Sequence, residues 1–163
     1  MSKRLLPFLV LSGVLACRLA CPAQTTSVTG EWRGILTNPA GFVFTAQITL
    51  ESGSGCKTCA AIGSGSIQGK IVWTLRKAPA SASADTLANA GLTGTEFVRG
   101  EMKGEGLLVL DGYRKDDPHN IVTLDQYRLA ISDNGGVIGG IARNGGSWTG
   151  QLIAVRATPA TPQ

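Results

Sequence analysis

Three observations predict an all-β fold, an antiparallel up-and-down barrel of about eight strands. A seven-residue pattern with Gly, Trp, Gly and Leu at its odd positions occurs at Gly30 to Leu36 and again at Gly146 to Leu152. Between the two copies, short runs of alternating apolar and polar residues are separated by turns rich in glycine and asparagine. No stretch of useful length carries the apolar period of a helix. End strands that share one pattern are natural neighbours in a sheet that closes on itself, and closure removes exposed strand edges.

Residues 1–23 stand apart from this fold. Lys3 and Arg4 precede an apolar run from Leu5 to Ala16, and the small-residue exit Ala20-Cys21-Pro22-Ala23 follows, which is the layout of a secretory signal peptide. The run falls short of the roughly 20 residues that a spanning helix needs, and no later segment is long and apolar enough to serve. The expectation is a soluble mature protein, secreted or periplasmic. A lipid anchor is the lesser alternative: Val14 stands three residues before Cys17 as such a signal requires, but Arg18 holds that place before Cys21.

Removal of the leader changes the charge. The whole chain carries fifteen Lys and Arg against eleven Asp and Glu, a net +4, but Lys3, Arg4 and Arg18 lie in the leader and every acidic residue lies beyond it. Twelve basic residues then face eleven acidic ones, a net +1 with no cluster, which gives no electrostatic pull toward nucleic acid or anionic membrane. The remaining length, 24–157, suits a single β-barrel domain with a real core. The Pro-Thr-Ala tail 158–163 is expected to be disordered.

Asn38-Pro39-Ala40-Gly41 makes the first turn, since Pro presets φ and Gly accepts the left-handed position. Phe42, Phe44, Ala46, Ile48 and Leu50 then alternate with Val43, Thr45, Gln47 and Thr49, the clearest strand in the chain. After a glycine-serine loop holding Cys56 and Cys59, a further strand places Ile67, Gly69, Ile71, Trp73 and Leu75 on one face. Residues 76–94 are Ala/Ser-rich and lack the bulky side chains that would fix them to a core, so they read as a flexible surface loop, with a helical turn near Asp85 to Ala90. Strands follow at Glu96 to Met102 and Leu107 to Gly112, then a polar loop from Tyr113 to Asn120. Val122 to Ser132 forms the next strand, with Tyr127, Leu129 and Ile131 on one side. Asp133-Asn134-Gly135-Gly136 and Asn144-Gly145-Gly146 are hairpin turns that bracket Val137 to Arg143.

Gly30-Glu31-Trp32, near the start of the mature chain, resembles the Gly-x-Trp signature of the calycins, the barrel group that includes lipocalins and avidins. In lipocalins a basic residue at the end of the last strand packs across that Trp. The resemblance assigns this place to Arg156, which shares parity with Trp148, Gly150, Leu152 and Ala154. The match covers these positions alone and implies the calycin barrel; it does not extend to the biotin-contacting residues of avidins.

Trp32, Phe44, Trp73, Tyr127 and Trp148 form the inward aromatic set and the candidate ligand-binding residues. Gly34, Gly69 and Gly150 are expected to make room for facing rings. An eight-stranded barrel is just wide enough either to be filled by side chains or to hold one small ligand. No ionisable side chain is expected on the inner face before Arg156, so a pocket there would bind rather than react, and no catalytic residue is assigned.

Cys56 and Cys59 have dithiol spacing but no βαβ context, and Ala60 follows in place of His. A structural disulfide is the expected state, and haem attachment is excluded. Asp116, Asp117 and His119, with Asp125 beyond, could hold a divalent ion or relay a proton. Asp-Pro also opens turns, and the cluster reads as a solvated turn, with no metal and no cofactor expected. Nucleophile-elbow, zincin and phosphate-loop motifs are absent.

Three functions remain open. The first is an exported barrel binding a small apolar ligand. The second is an envelope or extracellular protein-interaction module with a packed barrel, its loops 76–94 and 113–120 meeting the partner. The third, an enzyme built on Asp116, Asp117 and His119, ranks last because a lone His without a partnered nucleophile is a poor constellation.

Overall fold

The computed structural model describes residues 27–53, 66–104, 106–146 and 148–157. The expected leader, the Cys17 and Cys21 anchor sites, the Cys56 and Cys59 pair and the tail 158–163 lie outside the described residues.

Eight strands close into one antiparallel barrel in which every strand pairs with its sequence neighbours. They are β1 (Gly30–Thr37), β2 (Val43–Ser52), β3 (Ser66–Lys77), β4 (Thr93–Lys103), β5 (Leu107–Asp116), β6 (Gln126–Ile131), β7 (Val137–Arg143) and β8 (Thr149–Arg156). One short helix, α1 (Ala84–Ala88), sits between β3 and β4.

The period-two pattern does what sheet geometry demands. Along β2, Phe44, Ala46, Ile48 and Leu50 are buried while Thr45, Gln47 and Thr49 face outward. Along β3 the buried partners are Ile67, Ile71, Trp73 and Leu75. The seam joins the two copies of the Trp pattern: β1 pairs β8 from Trp32 opposite Arg156 to Thr37 opposite Gln151. Because these strands are antiparallel, Trp32 and Trp148 stand at opposite ends of the seam.

The end that holds Trp32 is closed. The Trp32 indole N–H donates to Val28 O at 3.0 Å, and the Arg156 guanidinium lies over its ring, 4.3 Å from the centroid. Arg156 also donates to Thr29 O at 2.7 Å, to Gly135 O at 3.1 Å and to Ser27 O. One side chain therefore stacks on the indole and ties the entering segment and the β6–β7 turn to the barrel floor.

Several boundaries differ from the sequence expectation: β3 runs to Lys77 and β4 begins at Thr93, both inside the expected 76–94 loop. β5 runs on to Asp116, where a loop was expected from Tyr113, because β4 is long enough to pair with it past a bulge between Phe97 and Val98. The Arg114 guanidinium caps the outward Phe97 ring at 3.6 Å. β6 begins at Gln126 rather than Val122, since 121–125 leave the sheet and cross the barrel end. Trp148 stands one residue outside β8.

The glycines also act otherwise than expected at two of three positions. A Cβ on Gly150 would meet the Trp148 ring at 2.9 Å, as room for an aromatic requires, but one on Gly34 would meet Ile153 O at 2.6 Å and one on Gly69 would strike Thr49 O. These last two permit close strand approach instead.

Candidate functional site

Opposite the closed end, a cavity of about 250 Å3 opens where β1 stops, β2 starts and β3 stops. Leu36, Phe42, Phe44, Trp73, Leu75 and Trp148 form its apolar wall. Phe42 and Phe44 stack at 6.3 Å between centroids, and Phe44 meets Trp73 edge-on at 6.2 Å.

The rim comes from the expected 76–94 loop on one side and, on the other, from 120–125, most of which was expected to be strand. Ser83 caps α1, its hydroxyl accepting the Thr86 N–H at 3.2 Å, and the helix brings Thr86 and Asn89 to the mouth. On the other side lie Asn120, Ile121, Val122, Thr123 and Asp125. The Asn89 side-chain amide donates to His119 O at 3.1 Å, so the segments touch across the opening.

Of the five aromatic residues nominated from sequence, Phe44, Trp73 and Trp148 share this lining. Trp32 is sealed into the closed end, and Tyr127, fully buried, lies outside the cavity wall.

The expectation of an interior without ionisable groups is overturned. Glu96 is 0 % exposed and Asp125 6 % exposed. Glu96 Oε1 accepts the Asp125 backbone N–H at 2.7 Å; Oε2 accepts the Trp73 indole N–H at 3.3 Å and the Tyr127 hydroxyl. Three donors satisfy one carboxylate, as a buried polar group needs. Desolvation still outweighs them and pushes the Glu96 carboxyl from 4.5 up to about 7. Desolvation also raises Asp125 and carries the Tyr127 hydroxyl well above its ordinary range, with the Glu96 charge adding to the latter.

Gly112 makes this network possible. Its N–H donates to Asp125 O at 2.7 Å, and a Cβ there would collide with Glu96 Oε1. Sequence reasoning missed Glu96 because Glu96-Phe97-Val98 has an apolar residue on either parity. The available signal was that Val98 and Met102 share the parity of Glu96.

Of the Asp116 to Asn120 cluster, Asp117 and Asn120 hold the turn together, while Asp117 Oδ1 is buried without a hydrogen-bond partner among the described residues. Asp117 accepts the Val122 N–H at 2.8 Å and sits 3.5 Å from the Lys115 ammonium, which also donates to Asn120 Oδ1 and Val122 O. His119 is exposed. Among the described residues no group of three or more His, Cys, Asp or Glu is arranged around a metal position, and no helix is long and apolar enough to cross a membrane.

No family model matches the chain and no curated protein is significantly similar to it. The architecture itself defines a class, a closed eight-stranded antiparallel β-barrel of a form compatible with the calycins.

Proposed function

We propose that this is an exported barrel protein that binds a small, mainly apolar molecule in the cavity opposite Trp32. One observation carries the reading: the barrel is filled at the Trp32 end and hollow at the other, where aromatic and aliphatic side chains wall about 250 Å3. Concave apolar sites with a few convergent polar groups are the usual form of a small-molecule site.

Trp73 and Trp148 line the cavity, so intrinsic fluorescence is a direct reporter. Titration with small aromatic and aliphatic probes should give saturable quenching, and Leu36→Trp, which fills the wall, should abolish it while thermal unfolding stays cooperative. Unchanged fluorescence with every probe would return the barrel to a protein-contact role.

A further inference from the structure

The cavity carries one feature that a purely apolar guest leaves unanswered. Asp125 is the ionisable residue among the lining residues, and it is 94 % removed from solvent by its 6 % exposure. Its Oδ1 accepts the Thr123 hydroxyl at 2.7 Å, and no ion pair to it forms among the described residues; the buried carboxylate oxygen without a hydrogen-bond partner is Asp117 Oδ1. Glu96 lies directly behind, bonded to the Asp125 backbone N–H and to the Trp73 indole that faces the cavity.

No Lys, Arg or His belongs to the lining. The cation bonded to the rim is Lys115, whose ammonium is already engaged by Asn120 Oδ1 at 2.9 Å, Val122 O at 2.8 Å and Asp117 Oδ2 at 3.5 Å. The lining therefore holds one carboxylate, paired with no cation among the described residues, together with Phe44, Trp73 and Trp148. An anion would be repelled there. A guest without a donor would leave the carboxylate desolvated and unpaired, which is costly.

Resting on the cavity's being a ligand site, we infer that its ligand class is a small organic ammonium, a primary amine on an aromatic or branched apolar body. The cation sits against Asp125 and the apolar body against the aromatic wall. The ammonium gains both a charge-assisted hydrogen bond and attraction to the ring faces. The upward push that burial gives the Asp125 carboxyl fits a group that lacks a counter-ion. A cavity of about 250 Å3 has room for one ring with a short aminoalkyl chain.

Calorimetric titration of the full chain at about pH 8 with three probes of one shape tests this: 2-phenylethylamine, 2-phenylethanol and 3-phenylpropionate. The amine should bind about tenfold or more tighter than the alcohol, with the acid weakest. Asp125→Asn should bring amine and alcohol to within about twofold of each other, with alcohol affinity retained. Equal affinities in the unaltered protein, or a preference for the amine that survives Asp125→Asn, would overturn the ammonium assignment and leave the cavity reading standing. Binding by none of the three would overturn both. The comparison in the unaltered protein decides by itself if the variant does not fold.

Discussion

Oε1 of Glu96 accepts the backbone N–H of Asp125 at 2.7 Å, joining a wholly buried carboxylate on β4 to the segment that rims the cavity. That bond favours the ionised form of Glu96, as does the Tyr127 hydroxyl, but desolvation outweighs both.

Stability should fall as pH rises from about 4.5 to about 7, the reverse of the ordinary carboxylate trend. The folded protein holds the Glu96 proton up to about pH 7, whereas the unfolded chain releases it near 4.5, so the native state binds more protons within that window. At about 1.4 kcal/mol per unit the effect is on the order of 3 kcal/mol. Asp125, also raised, acts in the same direction. Urea unfolding at a series of pH values should show the slope, and Glu96→Gln should remove most of it; identical slopes in the two proteins would refute the assignment.

Tyr127→Phe deletes a hydroxyl that helps hold Glu96 ionised. The Glu96 titration should move further upward, above about 7, and carbon-13 shifts of the side-chain carboxyl would read it. A downward move would contradict the network.

Gly112→Ala places a methyl group where the Glu96 carboxylate and the Asp125 N–H now meet. The collision is with buried, hydrogen-bonded atoms that have little freedom to yield, so a loss of about 2 to 4 kcal/mol is expected. Thermal or denaturant unfolding checks it. The same change at Gly145, where a Cβ would find nothing within 4 Å, serves as the control and should be near neutral.

Arg156→Lys keeps the charge but loses the planar fork that stacks on Trp32 and reaches Ser27, Thr29 and Gly135 together. The cost should be about 1 to 2 kcal/mol, accompanied by faster amide exchange in the β6–β7 turn. Ligand binding at the far end should not change.

The barrel was legible because the signals that specify it are local. Alternation along β2 and β3, the Asn-Gly turns around β7 and the duplicated Trp pattern each constrain a few residues, and they agree. Even β8, where Leu152, Ile153, Ala154 and Val155 hide the alternation, takes its parity from Trp148 and Gly150. The site was only partly legible. Phe44, Trp73 and Trp148 could be nominated as inward aromatics, but their convergence at one end depends on the register of four strands. Glu96 was hidden by an apolar neighbour that faces outward under Arg114. The rim was hidden because an Ala/Ser-rich segment looks the same whether it wanders in solvent or edges a mouth, and because Val122 to Asp125 continue the alternation of the strand that follows.

Ser27 enters beside Arg156, and the Ala157 N–H donates to Glu31 O at 2.8 Å, so the chain comes in and goes out through the floor of the barrel, away from the cavity. A label attached at Ser27 or Ala157 therefore sits at the barrel end opposite the cavity and should leave its opening clear.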